Sequence, residues 1–196
     1  MGKYYGMGRV GEGVHLLWDG PRKTGKISKA YRKWTNMLER VYSEKYQDRR
    51  PAYKGCSIVE EWLDYQVFAE WFYAQHQYLP DLQLDKDILK EGNKVYGPDT
   101  CCLVPQKINQ LTSRNGRSAG GKFPVGVSIR LGKYRAQIKY DGVHYALGTY
   151  KTPMEAFLRY KEAKELRIAE VVREYEKVLP KEVTLALLRY EVKITD

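Results

Sequence analysis

The sequence of this 196-residue chain is organised around the stretch Leu82–Asn109, LQLDKDILKEGNKVYGPDTCCLVPQKIN. It opens with a short apolar run, turns through Lys90 to Gly97 and returns through Cys101 to Val104. Pro105 then opens a helical segment. These signals predict a strand, a glycine-containing turn, a second strand and a helix. A carboxylate at the end of a strand and an amide on the following helix can converge on one hard cation.

This order of residues resembles the ββα-metal core of HNH nucleases, in the branch typified by phage junction-resolving endonucleases. In that family the first strand ends in an Asp-His pair, the turn carries an Asn, and the helix supplies a His or Asn. The resemblance matches Asp85 to the metal-binding Asp, Asn93 to the structural turn residue and Asn109 to the helix ligand. Lys86 stands where the family has the His that deprotonates the attacking water. The longer run from Tyr31 to Pro98 also resembles phage-encoded HNH-like proteins.

The resemblance implies Mg²⁺ or another divalent cation, held by Asp85 and Asn109, that binds the scissile phosphate. Strand alternation places Asp85 and Asp87 on one face and Lys86 on the other, which makes Asp87 a rival metal ligand. A base must also activate water. The candidates are Lys86, His76 at the end of a predicted helix, and metal-bound hydroxide. The acidic neighbours favour a charged Lys86 that pairs with phosphate instead, and a His at a helix C-terminus also suits the helix dipole.

Charge is segregated along the chain. The net charge of +10 and the pI of about 9.4 indicate a polyanionic partner. Residues 21–54 carry +8 and residues 112–151 carry +7, whereas residues 55–111 carry −5. Basic segments for phosphates around a carboxylate-rich centre for a cation fit a nuclease. The alternative is ordinary solubilising surface charge.

The N-terminal part predicts an arm followed by helices. Residues 1–26 hold seven glycines, which favours a flexible Gly/Tyr-rich arm. Ser28 then begins a helical pattern with an apolar face, formed by Tyr31, Trp34, Met37, Leu38 and Val41. The other face carries Lys29, Arg32 and Lys33, which either contact phosphates or are simply solvated.

A second predicted helix runs from about Val59 to Gln77. Its aromatic residues are assigned to the core rather than to base stacking, and they are Trp62, Tyr65, Phe68, Trp71 and Phe72. The segment Thr112–Lys122, which carries Arg114 and Arg117, reads as a flexible Gly/Ser linker and marks the domain boundary.

Three strands are predicted after the linker, at 125–131, 134–140 and 143–150, with an Asp-Gly hairpin turn between the last two. Thr152-Pro153-Met154-Glu155 then forms a capping box that opens a helix to about Lys177. A last short helix is predicted over Lys181 to Tyr190.

This second half resembles the Apetala-type (ethylene-response-factor) DNA-binding domain through VGVSIR, KYRAQIK, LGTY and TPMEAFLRY, over about residues 123–165. If the helix covers Ala136 and Ile138, strand alternation turns their neighbours outward. The predicted outward row is Ser128, Arg130, Arg135, Gln137, Lys139 and His144. In the family this face lies in the major groove, where Arg can read guanine and Gln can read adenine. Ala146 stands where that family often has Trp, so charge-dominated phosphate contact is the expectation.

Cys56, Cys101 and Cys102 lack the spacing of a structural zinc site and are expected to be buried thiols. There is no signal peptide and no apolar run long enough to span a bilayer. We therefore expect no membrane partner and a cytoplasmic location, in the host cell if the protein is phage-encoded.

Together these patterns predict an α+β fold. N-terminal helices and an HNH-like ββα core occupy residues 27–111, and a three-stranded antiparallel sheet packed on one helix occupies 123–196. The expected function is metal-dependent cleavage or nicking of double-stranded DNA by an HNH-family phage endonuclease. The alternative is an inactive HNH-like DNA-binding protein that acts as a regulator or interferes with host DNA-acting machinery. A protein-binding inhibitor whose acidic middle mimics nucleic acid is disfavoured by the positive net charge.

Overall fold

The computed structural model describes residues 4–20, 25–75, 79, 81–113 and 123–194. The chain is mixed α+β and forms two compact units, Met1–Pro105 and Gln106–Asp196, called here the first and second unit. The coarse α+β class and the three-stranded antiparallel sheet predicted from the sequence are confirmed.

The first unit combines three α-helices with short strands in its described part. The helices are α1 (Lys29–Tyr42), α2 (Glu44–Arg49) and α3 (Tyr65–Ala74). The strands are β1 (Trp18–Asp19), β2 (Lys26–Ile27), β3 (Ser57–Ile58), β4 (Leu82–Asp85), β5 (Val95–Tyr96) and β6 (Cys102–Pro105). β1–β2 and β4–β6 are antiparallel pairs, whereas β3–β5 is parallel.

Helix α1 forms as predicted. The hydroxyl of Ser28 accepts a hydrogen bond from the backbone N–H of Tyr31, which caps the helix. The whole predicted apolar face is buried, and Trp34 has no exposed surface. The indole N–H of Trp34 donates to the carbonyl oxygen of Trp62 at 2.8 Å, which ties α1 to the aromatic segment beyond it.

Helix α3 begins later than the sequence predicts. A 3₁₀ turn over Glu60–Leu63 comes first, and Asp64 is extended. The Asp64 carboxylate accepts the N–H of Gln66 at 2.9 Å and so starts a new helix at Tyr65. The predicted start at Val59 is therefore wrong. The core assignment is confirmed for Trp62, Tyr65, Phe68 and Phe72, which are buried, whereas Trp71 is half-buried.

The described part of the glycine-rich N-terminal segment, where the sequence predicts a flexible arm, packs within the first unit. Val10 is buried, and the N–H of Arg9 donates to the carbonyl oxygen of Leu63 at 2.8 Å. Gly11 has a positive φ of +69°, and a Cβ there would overlap a carboxylate oxygen of Asp64. Glycine at position 11 permits this close approach of the Asp64 side chain, a use that the sequence pattern does not distinguish from flexibility.

The second unit contains a sheet with helices on it. Its elements are α4 (Gln106–Thr112), β7 (Val127–Arg130), β8 (Lys133–Tyr140), β9 (Val143–Tyr150), α5 (Pro153–Tyr175) and α6 (Lys181–Leu188). The sheet order is β7-β8-β9, antiparallel throughout. Asp141 and Gly142 form the predicted hairpin turn, both with positive φ. The predicted capping box is present, with the hydroxyl of Thr152 accepting from the N–H of Glu155 at 3.2 Å.

Helix α5 covers one face of the sheet. Ala136 and Ile138 on β8 are buried with Phe157 and Tyr160 of α5, which is the burial that alternation predicts. The ring of Tyr160 occupies the place that a Cβ on Gly126 would take.

Helix α4, which the sequence assigns to the ββα core, belongs to the second unit. Its Lys107 donates to Glu174 of α5 at 2.8 Å. The division between the units thus falls directly after Pro105, ahead of the predicted linker at 112–122. Of that linker, Arg114 and Arg117 lie outside the described residues.

Candidate functional site

Asp85 ends strand β4 and holds the turn that follows. One oxygen of its carboxylate accepts the backbone N–H groups of Asp87 at 2.7 Å and Ile88 at 2.9 Å. Burial raises the pKa of this carboxyl above its ordinary value, and the two N–H donors oppose that rise. The second oxygen has no hydrogen-bond partner among the described residues, so it remains available as a ligand atom.

Lys86 is buried and has its donors occupied. Its ammonium group donates to both carboxylate oxygens of Asp87, at 2.8 and 2.9 Å, and to the carbonyl oxygen of Asn93 at 2.7 Å. Three acceptors match the three N–H groups of a charged lysine. Because β4 ends at Asp85, strand alternation does not govern these two residues, and the Lys86 and Asp87 side chains converge.

Asn93 closes the same turn from the other side. Its amide N–H₂ group donates to the carbonyl oxygens of Lys86 and Val95, at 2.9 and 2.7 Å, and its amide oxygen accepts the N–H of Val95 at 3.1 Å. The polar atoms of this side chain are therefore used to fix the backbone.

The remaining residues of the predicted site are Asn109 and His76. Asn109 is on α4, in the second unit, whereas Asp85 is in the first. His76, the alternative base, lies outside the described residues. Among the residues that are described, no group of three or more His, Cys, Asp or Glu side chains is placed to hold a metal ion.

The outer face of the β7-β8-β9 sheet gathers the predicted DNA-contacting row. Cross-strand pairing places Ser128 beside Arg135, Lys139 beside His144, and Gln137 beside Ala146. Paired residues project from the same side of a sheet, so the row is continuous. We call it the basic face, and its polar members are Ser128, Arg130, Lys133, Arg135, Gln137, Lys139, His144 and Thr149.

Two residues of the basic face, Lys133 and Thr149, were not predicted from the sequence. Lys133 lies two positions before Arg135, so alternation alone would have found it. Thr149 could not be found in that way, because β9 carries a bulge: Ala136 pairs with Gly148 and Gln137 with Ala146, which leaves Leu147 as an extra residue. Leu147 packs towards the core, and the outward positions change from even to odd numbers.

The basic face is electrostatically one-sided. The three strands contain Arg130, Lys133, Arg135 and Lys139 and not one Asp or Glu. None of these four cations has an ion pair within the described part of the chain. Cations of α5, in contrast, are neutralised locally, as Arg159 is by Glu162 at 2.6 Å and Arg167 by Asp141 at 3.2 Å. Positive potential is therefore concentrated on the sheet.

Helix α1 offers fewer accessible cations than its sequence indicates. Lys29 and Arg32 are exposed, as expected. Lys33 is half-buried and donates to the side-chain oxygen of Gln83 at 2.8 Å. Burial, helped by the neighbouring Arg40, lowers the pKa of Lys33. Lys33 therefore links α1 to strand β4, and only Lys29 and Arg32 project into solvent.

Comparisons with protein-family models, with curated proteins and with solved structures found no match to this chain. Within the described ranges, every helix is too short or too polar to cross a bilayer.

Proposed function

We propose that this protein binds double-stranded DNA through the basic face of its second unit. The observation that carries the proposal is the row of four cations that have no ion pair with any described residue and no carboxylate between them on the strands. Such a row attracts the phosphate backbone of any sequence, because affinity from charge neutralisation is independent of the bases.

The same face carries groups that can read bases. Arg135 and Gln137 lie side by side on the central strand β8, on the outer face. A β-ribbon fits the major groove, where Arg bonds guanine and Gln bonds adenine bidentately. Four cations in contact with phosphates would give a slope of about −3 to −4 in log affinity against log salt concentration.

The test is fluorescence anisotropy with a labelled 20-base-pair duplex. The double variant Arg135→Ala/Lys139→Ala should lose at least about tenfold in affinity, since two of the four cations disappear. Lys181→Ala is the control, an exposed lysine on α6 that is not part of the basic face. Equal affinity in the double variant, or affinity that does not change with salt, would rule the basic face out.

A second candidate function is metal-dependent DNA cleavage by an HNH-like ββα motif. The observation in its favour is the second carboxylate oxygen of Asp85, which has no hydrogen-bond partner in the described residues at the end of β4. Asp85 would hold Mg²⁺ or a similar ion, which would supply stabilisation of the leaving oxygen. The ammonium group of Lys86 is already engaged by Asp87 and the carbonyl oxygen of Asn93, so His76 is the candidate base.

A supercoiled-plasmid assay with Mg²⁺ or Mn²⁺ tests this candidate. Asp85→Asn keeps an oxygen to accept the turn N–H groups and removes the charge. Cleavage by the wild type that disappears in Asp85→Asn, with DNA binding retained, is the expected result. Cleavage that persists in this variant would assign the activity to another site or to a contaminant. No cleavage by the wild type, with a salt-sensitive gel shift, would leave the inactive DNA-binding regulator as the function.

A further inference from the structure

The first unit has a surface groove that neither proposed function uses. Its volume is about 320 Å³, at the lower end of the range for ligand pockets. Five of its lining residues are apolar, namely Val59, Trp62, Val67, Trp71 and Pro98, and two are acidic, Glu61 and Asp99.

The groove is built on a firmly packed base. The rings of Trp62 and Trp71 lie with centroids 4.6 Å apart, and Phe68 meets Trp62 edge-on at 5.0 Å. On the opposite wall, a Cβ on Gly97 would come within 2.9 Å of Val59, so glycine lets the 97–98 segment close up against Val59. A pocket shaped by such packing exists before its ligand arrives, which reduces the entropy lost on binding.

The walls leave apolar surface in contact with water. Val67 is 43% exposed, Pro98 is exposed and Trp71 is half-buried. The indole N–H of Trp71 has no hydrogen-bond partner among the described residues. An apolar wall with a donor at its edge suits a ligand that brings both an apolar side chain and a carbonyl oxygen.

The charge of the groove selects against nucleic acid. Glu61 and Asp99 are exposed and have no ion pair in the described part of the unit, and Glu60 precedes Glu61 on the same 3₁₀ turn. Residues 55–105 contain three Lys and nine Asp or Glu, a net charge of −6. A phosphate-bearing ligand would be repelled here, whereas a cationic one would be attracted.

We propose that this groove binds a short segment of a partner protein in which an apolar or aromatic residue is flanked by Lys or Arg. The apolar side chain lies against Trp71 and Val67, and the flanking cation pairs with Glu61 or Asp99. The indole N–H of Trp71 donates to a carbonyl oxygen of the segment. The protein thereby joins a basic partner protein on one unit to DNA on the other.

A peptide array probed with the labelled full chain tests the proposal. Nine-residue peptides carry Leu, Met, Phe or Trp at the centre, with either Lys/Arg or Glu on both sides, and a third set has Ser at the centre. The basic apolar peptides should bind at least tenfold more tightly than the other sets. Val67→Lys, which blocks the groove and reduces its negative charge, should abolish binding. Val95→Lys is the matched control, because Val95 is 37% exposed in the same unit and does not line the groove.

Three outcomes would overturn the proposal. The first is that no basic apolar peptide binds, or that Val67→Lys binds it as well as Val95→Lys. The second is that thymidine monophosphate, rather than a peptide, shifts the indole N–H resonance of Trp71. The third is self-association in sedimentation experiments that Val67→Lys abolishes, since the occupant would then be a second copy of this chain.

Discussion

The ammonium nitrogen of Lys86 lies 2.7 Å from the carbonyl oxygen of Asn93, and the amide nitrogen of Asn93 lies 2.9 Å from the carbonyl oxygen of Lys86. The side chain of each residue thus donates a hydrogen bond to the backbone carbonyl oxygen of the other. The reciprocal pair joins the two sides of the turn between β4 and β5. It gives Lys86 a structural role that holds whether or not the turn supports catalysis.

Replacing Lys86 should therefore destabilise the fold. Lys86→Met keeps the length of the side chain and removes all three donors, which leaves the buried carbonyl oxygen of Asn93 without its partner. We expect the free energy of unfolding to fall by about 2 kcal/mol. Urea denaturation measures the change. Lys90→Met, at an exposed position of the same turn, is the control, and equal stability of the two variants would contradict the structural role.

Substitutions on the basic face should distinguish the contribution of charge to DNA affinity from the contribution of base contacts. Lys133→Ala removes a phosphate contact, so the slope of log affinity against log salt should become shallower by about 1. Gln137→Ala should leave that slope unchanged and relax sequence preference, at a cost of about 1–3 kcal/mol for the preferred site. Salt titrations and selection from a random duplex pool measure the two effects. Identical behaviour of the two variants would argue against base contact by Gln137.

Two glycines in the second unit make a matched pair. Gly126 and Gly132 have φ of +74° and +71°, but only Gly126 faces the ring of Tyr160. Gly132→Ala should cost about 1 kcal/mol, from backbone strain alone. Gly126→Ala adds overpacking and should cost about 1–3 kcal/mol more. Thermal unfolding of both variants checks the difference, and similar melting temperatures would mean that Tyr160 can move away from the sheet.

Alkaline pH should destabilise the first unit through Cys101. Burial raises the pKa of this thiol to about 12, whereas in the unfolded chain it ionises near about 8.5. Between these values the folded state binds more protons, so stability falls as pH rises, by up to about 1.4 kcal/mol per pH unit. Urea denaturation from pH 8 to 10.5 should show a shallower fall for Cys101→Ala. Val104→Ala, a buried substitution that does not titrate, should keep the wild-type slope.

The three cysteines bear out a simpler expectation. Cys56, Cys101 and Cys102 all lie in the described residues, are buried and are in the thiol state.

Local signals predicted the second unit well. The Asp141-Gly142 turn and the Thr152 capping box depend on neighbouring residues, and both stand where the sequence places them. Alternation on β8 was sufficient to find Arg135 and Lys139, because that strand is regular. Thr149 was missed because the residue pattern of β9 does not predict a bulge. The one residue of the strand that suggests a bulge is Gly148, which has a φ of +120°.

The first unit depends more on contacts between distant residues. The residues near Gly11 in sequence do not predict its contact with Asp64. The packing of the N-terminal segment was therefore missed. The parallel pairing of Ser57 with Val95 has the same origin. The Lys86–Asn93 pair was hidden for another reason. The sequence pattern treated Lys86 as a strand residue, whereas β4 ends one position earlier.

The extra residue in β9, Leu147, divides that strand into two segments in which different positions face outward. Before Leu147 the outward-facing side chains are at even positions, His144 and Ala146. After Leu147 the outward-facing side chain is at an odd position, Thr149. A regular strand of the same length, without the bulge, would turn Thr149 towards helix α5. A library designed to change the DNA sequence preference of this sheet must therefore vary even positions before the bulge and odd positions after it. The bulge itself must be kept.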